Sequence, residues 1–139
     1  MNLKEQTLKI IEKMKQIRPF ESFKDLDEMN SGMGFILIYL LDAEKEVYAT
    51  EISEKMHISR ARIAMLVKKL ISKGLLLKEK STSDARKELI KLSDCGQKEA
   101  KKIKAKIFDN ISKVVNELGI EKVEAFIETS QQIRDVMCK

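Results

Sequence analysis

Apolar residues recur along this chain at three- and four-residue steps almost from end to end, and the departures from that rhythm mark the turns. Residues 3–17 place Leu3, Thr7, Ile10, Ile11, Met14 and Ile17 on one helical face, with Leu8 off it. Pro19 biases Arg18 away from helical angles, so the helix should stop there. Phe20, Phe23, Leu26 and Met29 then follow at three-residue spacing, the pattern of a second short helix or turn whose aromatic stripe is read as packing, with a ligand-pocket wall as the alternative for the Phe pair. Asn30 or Ser31 can cap the next helix. Residues 35–41 are apolar nearly all round, which suits a helix at the centre of a domain. A buried strand is the alternative, but the connection at 42–46 favours helix. Val47-Tyr48 can then add a short strand to a sheet formed later in the chain.

Ala49–Met56 reads as a short helix with Ile52 and Met56 facing inward, its start near Tyr48–Thr50 offering backbone N–H groups to a phosphate. His57 falls at a tight turn, where it tolerates a left-handed conformation better than most residues. It has no partner at a spacing suited to metal binding or pH sensing, so a turn role is preferred. Ser59 can cap a further helix by accepting from N–H groups two and three residues on. In that helix Ile63, Leu66, Val67, Leu70 and Ile71 form the apolar stripe, while Arg60, Ala61, Ala64, Met65, Lys68 and Lys69 fall on the other faces, with Arg62 near the boundary. Gly74 stops it. Residues 75–80 and 87–92 are strand candidates separated by the polar run 81–86.

Ser93 looks like an N-cap for the longest helix, to about Leu118, with Ala100, Ile103, Ile107, Ile111, Val114, Val115 and Leu118 on its stripe. Lys98, Lys101, Lys102, Lys104 and Lys106 crowd its first half and read as a solvated face. After Gly119 a last helix, Glu121–Cys138, carries Val123, Phe126, Ile127, Ile133 and Met137. These terminal helices hold more apolar stripe than one copy easily covers, so burial against a second copy is expected.

Charge changes the picture. Between Arg60 and Lys91 the local net charge is +7, whereas the whole chain carries +5. The basicity is therefore local, and a basic face beside a short helix is the electrostatic footprint of nucleic-acid binding. Arg and Lys on an exposed helix side can donate to guanine edges in a major groove, and small residues permit close approach.

A helix followed at once by a hairpin with a basic tip has the order of a winged helix-turn-helix. The sequence here resembles the MarR-type transcriptional regulators. The resemblance lies in residues 52–59 (ISEKMHIS), then 70–76 (LISKGLL), then Asp84-Ala85-Arg86 with Leu92-Ser93 and Gly96 behind it. The last of these is similar to the family's wing signature, an Asp and an Arg two apart followed by a strand and a Gly. It covers nearly the full chain, although the interruption at Pro19 departs from the family's longer first helix. The fold class it implies is α-dominated with a small β-hairpin wing: one chain of residues 1–139, a winged helix-turn-helix over 32–93, and helical dimerisation regions at 1–30 and 94–139. The function it implies is a sequence-specific regulator that binds double-stranded DNA as a homodimer on a pseudo-palindromic operator, a ligand-responsive repressor by family habit. The site residues expected are Ser59, Arg60, Ala61, Arg62, Met65, Lys68 and Lys69 on the helix, and Ser83, Asp84, Arg86 and Lys87 on the wing. Arg86 should enter the minor groove with Asp84 holding it, and Lys87 should meet a phosphate. Relatives bind small aromatic anions between the dimer helices and the winged domain, so an effector would belong to that class.

Other functions find little support. One His, no Gly-rich phosphate loop, and cysteines without a nearby base argue against an enzyme. Two cysteines, Cys95 and Cys138, do not make a disulfide framework or a metal site and read as free thiols of a reducing cytoplasm. Neither lies in the N-terminal region associated with thiol-responsive relatives. No cofactor and no metal is expected. No apolar run approaches a membrane span, and the charged, amphipathic first residues are not those of a secretory signal. The competing reading is a winged helix that docks protein on the same basic face without reading DNA.

Overall fold

The computed structural model describes residues 1–16, 32–56, 58–81, 83 and 87–138. Six helices and one small sheet appear in it: α1 (Leu3–Gln16), α2 (Met33–Asp42), β1 (Val47–Tyr48), α3 (Ala49–Met56), α4 (Arg60–Ser72), β2 (Leu76–Lys80), β3 (Glu88–Leu92), α5 (Asp94–Leu118) and α6 (Ile120–Met137). This is the α-dominated winged-helix architecture that the resemblance implies, on the helices that the periodicity predicts. Every helix starts and stops within about two residues of the expected place. The segment around Phe20, Phe23, Leu26 and Met29, the caps expected at Asn30 or Ser31, and His57 lie outside the described residues.

The chain divides into two compact units, residues 29–103 and residues 1–28 with 104–139. In the first, Ile36 and Leu37 of α2, Ile52 of α3, Ile63 and Leu70 of α4, and Leu76 and Ile90 of the sheet are all buried. The all-apolar run at 35–41 is thus a helix, and it sits in the core because it has no polar face to present. The sheet is antiparallel with strand order β1-β3-β2. Val47 pairs with Ile90 and Tyr48 with Leu89, while β2 and β3 run in register from Leu76↔Leu92 to Lys80↔Glu88. The short strand at Val47-Tyr48 does join the wing sheet, its buried Val47 meeting the buried Ile90. Gly74, with φ +76, lets the chain leave α4 in the left-handed region that a Cβ would disfavour.

The second unit is built on Ile10, Ile111, Val115, Val123 and Ile127, with Ile11, Met14, Ile107, Val114 and Ile120 packed around them. Each such side chain contributes about 1.5–3 kcal/mol when taken from water. Lys13 Nζ reaches Glu124 at 2.8 Å and Glu128 at 3.9 Å, and Lys9 reaches Glu124 at 3.4 Å, tying α1 to α6. The hydrogen bond from Lys13 holds the Glu124 carboxyl below the usual carboxylate range, against the opposing pull of burial. The buried hydroxyls of Thr7 and Ser130 donate to carbonyls one turn back on their own helices, Leu3 O at 2.7 Å and Phe126 O at 2.8 Å. Their polarity therefore costs little within an apolar face. Several stripe residues of α6 stay exposed in the single chain, including Phe126, Ile133 and Met137.

Candidate nucleic-acid interface

The thirteen residues of α4 form a rod of roughly 20 Å. The Ser59 hydroxyl accepts from Arg62 N at 3.1 Å and caps its N-terminus as expected. Ile63, Leu66, Val67 and Leu70 are buried, and the opposite side, from Arg60 through Ala61, Arg62, Ala64, Met65, Lys68 and Lys69, is exposed. Met65, 72% exposed, adds a flexible apolar side chain to that face. Among the described residues none of Arg60, Arg62, Lys68 and Lys69 has a carboxylate partner.

Three features hold α4 in place. Ile52 and Met56 of α3 are buried against the core, as their four-residue spacing predicts. The turn between α3 and α4 is closed from both sides, Ser53 Oγ donating to Ile58 O at 2.8 Å and Ile58 N to Ser53 O at 3.4 Å. On the other flank the Tyr39 hydroxyl of α2 donates to the Glu51 carboxylate of α3. Burial, followed by that hydrogen bond and the charge of Glu51, pushes the Tyr39 phenol up to about 12. The tyrosine is therefore a fixed donor at any physiological pH.

The wing redistributes the charge seen in the sequence. Lys78 pairs with Glu88 and Lys91 with Glu79, each at 3.0 Å across β2 and β3. Its strands are thereby largely balanced, and the free positive charge gathers on α4 and at the wing's root. The Glu79 hydrogen bond raises the Lys91 ammonium above its ordinary value. At the root, Ser81 N donates to Lys87 O at 3.0 Å, and Ser81 Oγ lies 2.9 Å from Ser83 Oγ. Lys87, expected to meet a phosphate, has its ammonium 5.2 Å from the centroid of the Tyr48 ring. The Tyr48 hydroxyl also shares a 3.2 Å hydrogen bond with Ser81. Asp84 and Arg86 lie outside the described residues, so their pairing is not observed.

Sequence reasoning brought Ser59, Arg60, Ala61, Arg62, Met65, Lys68 and Lys69 to the exposed side of α4 but gave the side chains of both tyrosines no role. The only signal for them was their rarity, two Tyr and no Trp in 139 residues.

A notch of about 100 Å³ lies between α4 and the strands, with Arg60, Ala64, Lys78 and Glu88 in its wall. That is well below the ~300 Å³ at which drug-sized ligands begin to fit. Cys95 and Cys138 are free and exposed. Among the described residues no three His, Cys, Asp or Glu side chains gather as metal ligands, and no helix is long and apolar enough to cross a membrane.

Residues 18–105 match the protein family described as transcriptional regulator SarA/Rot. No curated protein sequence matches the chain. Among solved structures, the S. aureus MepR–DNA complex superposes with a TM-score of 0.68 at 22% identity, over 91% of this chain and 92% of that one. The heme sensor PefR from Streptococcus agalactiae in complex with heme gives 0.61 at 19% identity, over 78% and 77%. The adhesin competence repressor AdcR from Streptococcus pyogenes gives 0.58 at 22%, over 76% and 77%. At such identities the likeness is one of fold.

Proposed function

The chain belongs to the SarA/Rot family of transcriptional regulators, and from that premise we propose that it binds duplex DNA as a homodimer, with α4 in the major groove and the wing beside it. The observation that carries this reading is the face of α4, where four cations without carboxylate partners among the described residues stand opposite the buried Ile63, Leu66, Val67 and Leu70. A solvated helix would gain by pairing those charges within one turn. Here they are left for an external polyanion. Ser59 and Ala61 keep the helix start small enough for close approach, Arg60 and Arg62 are the base readers, and Lys68 and Lys69 divide between bases and phosphates. Ser83 and Lys87 serve the wing, and Asp84 with Arg86 keeps the minor-groove role assigned from sequence.

The dimer reading rests on apolar surface that one copy leaves open. Leu8 is 47% exposed, Ile133 40% and Val136 69%, all on α1 and α6. A two-fold dimer would read two half-sites about one helical turn apart, hence an imperfect palindrome. Repression relieved by a small aromatic anion is the regulatory mode we assign, in keeping with a structural neighbour captured with heme.

Selection of bound sequences from random duplexes tests the whole reading. A palindromic consensus should emerge, and Arg60→Ala or Arg62→Ala should relax it at one position, at a cost of about 1–3 kcal/mol for a bidentate contact. Binding without sequence preference, unchanged by every α4 variant, would instead favour docking of an acidic protein on the same face.

A further inference from the structure

Tyr48 is the last residue of β1 and immediately precedes α3. Its side chain touches both roots of the wing. On one side its hydroxyl bonds Ser81 Oγ at 3.2 Å, just past the end of β2 at Lys80. On the other its ring lies beneath the Lys87 ammonium, 5.2 Å from the centroid and just before β3 begins at Glu88. The two roots are themselves joined by the 3.0 Å bond from Ser81 N to Lys87 O. Ser81 is buried and Lys87 exposed, so the root is fixed from within while its charge faces solvent.

We propose that Tyr48 is a positioning residue for DNA binding, which holds the Lys87 ammonium and the Ser81–Lys87 root of the wing ready to meet a backbone phosphate. The proposal rests on the DNA-binding reading above. A lysine on a four-carbon stem loses much rotamer freedom when it is pinned to one partner. The negative face of an aromatic ring attracts the ammonium before any phosphate arrives, so part of that freedom is already gone in the free protein. The ring occupies one side of the ammonium only. With three N–H donors available, the others remain free to donate to phosphate oxygens. The hydroxyl bond to Ser81 fixes the opposite root, so that Lys87 moves with β1 rather than with the wing's far end.

The test is a salt series of affinities for the selected operator, using wild type, Lys87→Ala, Tyr48→Phe, Tyr48→Leu and the double variant Tyr48→Leu/Lys87→Ala. Lys87→Ala should lower the slope of log K against log salt by about 0.9, the value of one phosphate contact. Tyr48→Phe keeps the ring and should keep that slope. Tyr48→Leu should weaken binding about two- to fivefold and shift the slope toward that of Lys87→Ala, and the double variant should bind no worse than Lys87→Ala alone. Tyr48→Met serves the same purpose if Tyr48→Leu does not fold. A tyrosine that merely supported the sheet would lower the unfolding midpoint of these variants and leave the slope untouched. A wild-type slope in Tyr48→Leu, losses that multiply in the double variant, or an unchanged slope in Lys87→Ala would each overturn the proposal. Arg60→Ala separates the two questions. If wild type binds DNA and Arg60→Ala weakens it while the Tyr48 series is inert, only the role of Tyr48 falls.

Discussion

Replacing Gly96 by alanine should destabilise the winged unit, although helix propensity argues the other way. Gly96 sits in the first turn of α5, and alanine there gains about 1 kcal/mol over glycine in an open helix. A Cβ at this position, however, would stand 2.0 Å from Leu75 O, 3.0 Å from Leu75 C and 3.3 Å from Leu92 Cδ2. Even close C–H···O contacts keep carbon and oxygen about 3.3 Å apart, so α5 would have to retreat by roughly 1 Å. The corner between wing and helix depends on that closeness. Ser93 N donates to Leu75 O at 3.0 Å, Ser93 Oγ donates to Gly74 O at 2.6 Å, and the same hydroxyl accepts from Gly96 N at 2.9 Å. Overpacking costs about 1–3 kcal/mol, and one or two weakened hydrogen bonds cost about 0.5–1.5 kcal/mol each. Set against the propensity gain, the net loss is about 0.5–5 kcal/mol. For a chain of this size the thermal midpoint should fall by roughly 2–20 °C. Gly74→Ala is the control: φ is +76 but no atom lies within 4 Å of the added Cβ, so only the left-handed penalty of about 1–2 kcal/mol applies. Differential scanning calorimetry on the three proteins decides the matter. A Gly96→Ala protein as stable as wild type, or more stable, would show that the corner relaxes freely and refute the reasoning.

Three further outcomes are expected. Leu70→Ala, at a fully buried position beneath the exposed face of α4, should cost about 2–5 kcal/mol in urea unfolding, and a loss below 1 kcal/mol would mean the stripe is not core. Glu124 has its folded pKa lowered by Lys13, so its stabilising contribution is full above the ordinary value of 4.5 and is lost as pH falls through the lower folded value. Glu124→Gln should therefore flatten that part of the acid limb of unfolding free energy against pH, and an unchanged limb would dismiss the pair. In a Tyr48→Phe background the ultraviolet absorbance of tyrosinate should report Tyr39 ionising only near pH 12, since burial and then Glu51 oppose its anion; ionisation near 10 would mean the α2–α3 bond does not form.

Helix positions were legible because each is a local, repeated signal. The Ile63, Leu66, Val67, Leu70 stripe follows from period alone, and Ser59 and Gly74 bracket it with local backbone chemistry. The exposed set on α4 was legible for the same reason, since a helix that buries one side must show the other. The fate of the charges was not. Lys78 and Lys91 counted as part of the basic patch until the register of β2 against β3 set them beside Glu88 and Glu79.

By itself, then, the sequence determined the helices, their buried faces, the hairpin and the site of positive charge, because periodicity and capping act within a few residues of the chain. Only the tertiary structure decided which charges remain available, that Tyr39 braces α3 through Glu51, and that Tyr48 carries both roots of the wing. It also turned Gly96 from one residue of a signature into a contact in which Leu75 O leaves no room for a Cβ. Each of these joins residues far apart in the chain or from separate elements, and their distances are set by strand register and helix packing, quantities that no local pattern of residues encodes.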